Sequence, residues 1–517
     1  MAKSVPFDFT SLRQFAERPA LTDGQHSLSY QKLAAQVSQL ANWLQQLPAQ
    51  RFAISGPNSI SWIIADLALA VSDKICVPLP RFFSAAQQAY ILDTAAIEIV
   101  LETEPLAGSI ASAVPGLWYR QVPQSDTHEV PTFPISSGKV TFTSGTTGNP
   151  KGVCLSWAQQ AATLAGLVKA LGAEFSAEAQ QQQLRHYCLL PLSTLLENQA
   201  GVYLPLALGQ QIIVLNESQS GLSGSSKLDL AQLAQSLAKY QPHSLILTPQ
   251  LLQALLLICQ QQPALAASFR FIAVGGAHCA PALLAQVAQL GLPVYQGYGL
   301  SEAGSVVALN LPAANRPGSV GKALPHIQLR INAGQIEVKG QLYAGYLGEA
   351  ARDADSWLAT GDLGQLDSDG YLNIDGRSKQ LLISSFGRNI SPEWLEAELQ
   401  LCPAIAQAMV CGDAKPWLSA LIMPRSAKQL TELSTQLQAL NARLPDYAQI
   451  RTVLLLNEPF SSQNQQLTDN GRLRRQHILA QYQQPLAQLY HLTPATAEPV
   501  LVPLNQEHRD ELLSAIN

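Results

Sequence analysis

The stretch TFTSGTTGNPKG, residues 141–152, crowds hydroxyl side chains, three glycines and one lysine into twelve positions. Glycines let backbone N–H groups approach an anion closely, and hydroxyls add donors without bulk. Lys151 supplies a mobile positive charge. Such a segment suits a polyphosphate; the plain alternative is a hydroxyl-rich surface turn. It is not a Walker loop. Counting from Gly145 puts Pro150 where the second glycine belongs, and Gly152 where a hydroxyl residue should follow the lysine.

The elements that must position such a loop are legible as alternation. HSLILTP (243–249) reads as a strand, QLLQALLLICQQ (250–261) as a helix, FRFIAVGG (269–276) as a strand, PALLAQVAQL (281–290) as a helix and LPVYQGYG (292–299) as a strand. Alternation of this kind predicts an α/β fold with a mainly parallel sheet covered by helices. Ligands in such folds gather beyond the carboxyl ends of the strands, where Gly275, Gly276, Gly297 and Gly299 fall. Beyond residue 315, HIQLRINAGQIEVKG alternates about an Asn-Ala-Gly turn, a hairpin in a smaller β-rich unit. Then ISPEWLEAELQLC sets Ser391 as N-cap and Pro392 at the first helical position, with strands expected over 407–411 and 418–423. A hinge is placed at Asp375 to Lys379, dividing a large unit (1–375) from a small one (376–517). The glutamines at 180–183 read as a solvated loop, and the tail from 497 as a closing helix.

Composition narrows the function classes. A chain of 517 residues exceeds one ordinary core, so two or more domains are expected. Charged residues make up 13% and the net charge is −5, which argues against extended disorder and against a nucleic-acid surface. The seven cysteines show neither CxxC nor metal-ligand spacing and read as small buried residues of a reducing compartment. The first residues lack an apolar run behind their lysine, and the most apolar stretch, Leu251 to Cys259, is too short to span a bilayer. A cytoplasmic protein without a transmembrane segment is the expectation.

TFTSGTTGNPKG resembles the phosphate loop of the adenylate-forming superfamily, which includes acyl-CoA synthetases, luciferases and peptide-synthetase adenylation domains. More segments match in that family's order: VGGA (274–277) resembles its adenine-side turn and YQGYGLSEAG (295–304) its central nucleotide motif. TGDLGQLDSDGYLNIDGR (360–377) resembles its ribose motif, and SFGRNISPEWLEAEL (385–399) the start of its mobile domain. SLSYQKLAAQVSQLANWL near the amino terminus is also typical. The similarity runs from roughly residue 18 to 480. LLPLSTLLENQAGVYLPLALG and GDAKPWLSALIMP are similar to the long-chain acyl-CoA synthetase branch. The resemblance implies a large domain of parallel sheets with helices plus a small β-barrel-like unit, followed by a small mobile α+β domain.

It also implies a two-step reaction. A carboxylate attacks the α-phosphate of ATP and releases pyrophosphate; a thiol, of coenzyme A or of a carrier protein's phosphopantetheine, then displaces AMP. Joining two anions needs fixed donors and a divalent ion. On this reading Thr143, Ser144, Gly145, Thr146, Thr147, Gly148 and Lys151 embrace the phosphates together with Ser301. Glu302 holds Mg²⁺, because a hard cation takes carboxylate and phosphate oxygens. Gly275, Gly276, Ala277, Gln296, Gly297, Tyr298 and Gly299 flank the adenine, and Asp362 accepts hydrogen bonds from both ribose hydroxyls. Arg377 holds the ribose or anchors the hinge. Lys379 stands at the pivot, and Gly387 and Arg388 on the thiol side. Bland alternatives stand beside each: a solvated glutamate, a packed tyrosine, a turn-forming aspartate, a polar connector.

Two departures from the family pattern bear on chemistry. In QLTDNGRLRRQHI the slot of the family's last lysine holds Arg472, whose planar fork is not equivalent to a point charge. Arg472 serves the same role, or slows the first step, or yields to Arg474 in a shifted register; a nucleotide-binding relative without catalysis is the reading from another class. In LPLSTLLEN the branch's His-x-Phe-Glu becomes Thr194, Leu195, Leu196 and Glu197, so Thr194 and Leu195 are acyl-pocket candidates with a reshaped mouth. Val202 to Leu208 reads as tunnel lining or, more commonly at this spacing, as core. A fatty or other apolar acid is the expected substrate, and an acyl carrier protein a possible partner.

Overall fold

Helix starts are set by short polar side chains that accept otherwise orphaned backbone N–H groups. Ser59 accepts from Trp62, Ser84 from Gln87 in a capping box, Asp229 from Gln232 and Thr248 from Leu251, the last with Pro249 in the first turn. The computed structural model describes residues 15–123, 130–134, 137–143, 150–181, 183–224, 227–378, 380–383, 389–426, 429–468, 471–492 and 499–504.

Among these residues the strands of the large unit build a nine-stranded and an eight-stranded sheet. In the first, Val294–Tyr298, Phe271–Val274, Ser244–Leu247, Arg185–Cys188, Gln211–Val214 and Pro19–Thr22 run parallel as neighbours in that order. In the second, Ser137–Thr143, Ile75–Pro78, Arg51–Ser55 and Ile99–Glu102 are parallel neighbours, and Lys151–Ser156 returns antiparallel to Ser137–Thr143. The main core lies between the sheets. It joins Leu21 and Ile212 from one, Phe52 and Cys76 from the other, and Leu164 and Leu167 of the long helix Trp157–Gln181. Helix Ile60–Val71, buried without a break from Trp62 to Ala70, runs through this layer. A helix apolar all round belongs inside.

The expected hairpin pairs Ile327–Asn332 with Gln335–Gly340, and Leu358–Leu366 and Leu372–Arg377 extend it to a four-stranded antiparallel sheet. The carboxyl-terminal unit has its own sheet, Ile405–Cys411, Leu418–Pro424, Ile450–Leu455 and Val500–Pro503, and its own apolar clusters. Two expectations are corrected. Gln180 and Gln181 continue the long helix instead of forming a loop. The tail opens as strand Val500–Pro503, parallel to Ile450–Leu455, because its apolar run completes a sheet edge; the closing helix is corrected there alone, since residues 505–517 lie outside the described residues. No helix is long and apolar enough to cross a membrane among the described residues.

Inside the carboxyl-terminal unit, Glu396 is buried, ion-paired with Arg475, and accepts the Val410 N–H at 2.6 Å. Burial outweighs the arginine and pushes its pKa up to about 7. Between the ordinary carboxyl range and pH 7 the folded chain therefore holds a proton that the unfolded chain has released. Its contribution is full below the unfolded pKa and is lost as pH rises through about 7. Opening free energies from amide exchange in strand Ile405–Cys411 should fall by on the order of 2 kcal/mol from pH 5 to pH 8. In Glu396→Gln that fall should be absent.

Candidate active site

The phosphate-loop candidate is a hairpin whose two ends are firmly placed: Thr143 closes one strand and pairs directly with Lys151, which opens the next. Ser144, Gly145, Thr146, Thr147 and Gly148 lie outside the described residues. Strand Gly345–Tyr346 adds to the far side of this hairpin, setting Tyr346 opposite Val153. Lys151 Nζ then stands 5.3 Å from the Tyr346 ring centre, and Tyr346 Oη donates to Glu302 Oε1 at 2.9 Å. Glu302 is also gripped through its backbone, since its carbonyl accepts the Tyr343 N–H at 2.7 Å. Burial, and the Glu302 carboxylate beside it, hold the Tyr346 hydroxyl protonated by raising its pKa. A lysine, a phenol and a carboxylate thus form one row from hairpin to turn.

Glu302 sits in the short turn Ser301–Ala303 that follows strand Val294–Tyr298. Gly299 must be glycine here: a Cβ would stand 1.6 Å from the Ser305 carbonyl oxygen. Gln296, Gly297 and Tyr298 belong to that strand, and Gly275, Gly276 and Ala277 follow the adjacent parallel strand Phe271–Val274, so both glycine clusters share one sheet edge. Tyr298 Oη donates to Asp362 Oδ2 at 2.6 Å, while Arg377 Nε lies 3.0 Å from Asp362 Oδ1. The pairing of Asp362 with Arg377 across the antiparallel register makes that contact local. Asp362 is 5% exposed, and each of its oxygens keeps a second lone pair for a further donor.

From the carboxyl-terminal unit Arg472 reaches this edge, its Nη2 donating to Gly276 O at 3.4 Å. The side chain stays exposed, in the cleft where the two units meet. Crowding by protein atoms and the Arg377 charge pull its pKa down, and Glu393 and Asp362 pull it back. An arginine stays charged throughout. The cleft is braced elsewhere: Gln253 Nε2 donates to Gln400 O at 3.4 Å, and Ala397 and Leu401 pack on the core around helix Pro249–Gln261.

Of the residues expected from sequence, the fold brings Thr143, Lys151, Ser301 and Glu302 to one row, and Gly276, Tyr298, Asp362, Arg377 and Arg472 to its continuation. Lys379, Gly387 and Arg388 lie outside the described residues. Leu195 packs with Val153 and Leu155 against Tyr343 and Tyr346, next to the row, and the Thr194 backbone carbonyl accepts the Asn198 N–H. Val202, Leu204 and Leu206 are core. Tyr346 was missed. It ends a strand of only Gly345–Tyr346, and its one sequence signal is the Tyr-Ala-Gly-Tyr spacing of two phenols.

Residues 9–346 match the AMP-binding enzyme family and residues 379–493 the AMP-binding enzyme C-terminal domain. The chain is 25% identical over 546 residues to the long-chain-fatty-acid–CoA ligase FadD15 of Mycobacterium bovis, covering 85% of this chain and 88% of that one. It is 29% identical over 422 residues to the 2-succinylbenzoate–CoA ligase of Enterococcus faecalis, covering 77% and 83%. Among solved structures, the o-succinylbenzoate CoA synthetase (MenE) of Bacillus subtilis with its acyl-adenylate intermediate has the same fold, with a TM-score of 0.70 at 22% identity over 90% of this chain and 97% of that one. The same synthetase with ATP and magnesium ion gives 0.68. Both parts of the family are matched in order along one chain, and their motifs meet at one cleft: the chain belongs to the AMP-binding enzyme family.

Proposed function

We propose that the chain is an AMP-forming acid–thiol ligase. A carboxylate oxygen bonds to the α-phosphorus of ATP, and the bond to pyrophosphate breaks with its electron pair leaving on pyrophosphate. The sulfur of coenzyme A then bonds to the acyl carbon, and the bond to AMP breaks. The observation that carries this reading is the reach of Arg472 across the cleft to Gly276, beside Asp362 and in line with the Glu302 row. A cation there offsets the repulsion between carboxylate and phosphate as they meet.

The residues fit both ATP and magnesium. Glu302 is half-buried, its one described hydrogen bond falls on Oε1, and its remaining lone pairs suit a hard cation. When bound, magnesium neutralises phosphate charge. Lys151 supplies the opposing charge at the mouth of the loop, Asp362 accepts ribose hydroxyls, and Arg377 holds Asp362 in place.

The acid is the finer question. A fatty or other apolar acid has the support of the fatty-acid–CoA ligase relative; Val202 to Leu206, being core, lend it none. Coenzyme A as acceptor has the support of both curated relatives, whereas a carrier-protein acceptor rests on chemistry alone. Carboxylate-dependent exchange of labelled pyrophosphate into ATP tests the first step, and thioester formation with coenzyme A or a phosphopantetheinylated carrier tests the second. Failure of every acid to support exchange would leave a nucleotide-binding relative without catalysis.

A further inference from the structure

The long helix turns Gln159, Gln160 and Thr163 inward, each 0% exposed. Among the described residues neither atom of the Gln159 amide has a hydrogen-bond partner, and Gln160 Nε2 and Gln199 Oε1 have none either. The group's internal bond runs from Gln199 Nε2 to Gln160 Oε1 at 3.0 Å. A primary amide stripped of water and left unpaired is destabilising, and folded interiors hold few of them. Orphaned donors and acceptors on three buried side chains call for a partner that the described residues do not supply.

Their position indicates which partner. Gly304, in the left-handed region at φ 73°, follows the Ser301–Ala303 turn that carries Glu302. A Cβ at Gly304 would stand 3.1 Å from Gln159 Nε2 and 2.3 Å from Thr163 Oγ1, so the backbone of the reaction turn lies directly on the orphan amide. Gln199 is carried by Glu197–Tyr203, a π-helical segment. Such segments are rare and frequent at functional sites.

We infer that Gln159, Gln160 and Gln199 receive the acyl part of the acid, and that this acid bears an uncharged hydrogen-bonding group, a hydroxyl, ketone or amide, on its chain. The inference rests on the ligase reading above. Amides offer donors and acceptors but no charge. The nearby cation Lys139 is committed to Asp66, Asn198 and Tyr203, so it is not free to pair with a second carboxylate. A plain alkyl chain would leave every orphan unpaired, and sites built to hydrogen-bond a substrate discriminate strongly against analogues that lack the group.

The test is pyrophosphate exchange across pairs of acids matched in length, plain against hydroxy-, keto- or amide-bearing. The native enzyme should favour one polar member by on the order of 100-fold in kcat/KM. Gln159→Leu and Gln199→Met should each cut that preference at least about tenfold with AMP affinity unchanged; the melting temperature should be equal or higher in Gln159→Leu, which removes an unpaired buried amide, and lower in Gln199→Met, which strands Gln160 Oε1. Equal or better turnover of plain acids by the native enzyme overturns the inference while sustaining the ligase reading; the amides then bind only water. A preference that survives both variants also overturns it. Absence of exchange with every acid, alongside intact AMP binding, refutes the ligase reading instead.

Discussion

Arg472→Ala is expected to lower acid-dependent pyrophosphate exchange by on the order of 100- to 1000-fold, the range for removing one charge-stabilising donor from a reaction centre. Arg472→Lys should retain more activity yet fall about tenfold below the native enzyme. Lysine restores the charge but not the fork, which here spans from the Gly276 carbonyl toward Asp362. Thioester formation from a pre-made acyl adenylate should change less than about threefold in both, because a charge at the phosphate acts before AMP becomes the leaving group. The control is Arg474→Ala. Arg474 stands at the N-cap position of helix Arg475–Gln481 without a side-chain capping bond, and its loss should leave exchange near native. Collapse in Arg474→Ala with normal exchange in Arg472→Ala would show that the register is shifted.

Lys139→Met should destabilise the large unit by about 3–5 kcal/mol, the usual consequence of stranding one member of a buried ion pair. Lys139 is 0% exposed and its Nζ lies 2.6 Å from Asp66 Oδ1, with bonds to Asn198 Oδ1 at 2.5 Å and Tyr203 Oη at 3.1 Å. Asp66 Oδ2 also accepts from Tyr203 Oη at 2.6 Å and Asn198 Nδ2 at 2.8 Å. One network therefore ties helix Ile60–Val71, strand Ser137–Thr143 and the π-helical segment Glu197–Tyr203. Denaturant midpoints report the loss. The double variant Lys139→Met with Asp66→Leu should recover much of it, because no buried charge is then left unpaired; equal destabilisation by the double variant would show that shape, not charge, governs the site.

Much of the architecture was legible along the chain because periodicity is a local property. The strands before Gly275 and Gly297, the Ile327–Gly340 hairpin and the Pro392 helix start all follow from neighbouring residues. The glutamine run and the tail were misread for the opposite reason. Glutamine is a fair helix former, so Gln180 and Gln181 simply extend a helix already under way, and Val500–Pro503 becomes a strand only because Ile450–Leu455 offers an edge.

By itself the sequence determined the family and its short motifs: the hydroxyl-and-glycine segment, Glu302, Asp362 and a cation near residue 472, since each is a local pattern. Only the tertiary structure decided that Arg472 reaches the Gly276 carbonyl, that Tyr346 steadies Glu302 from 44 residues away, and that the Gln159 amide lies against Gly304. Those are contacts between segments far apart in the chain. No local pattern encodes them, because they exist only once two sheets and the layer between them have closed around one core.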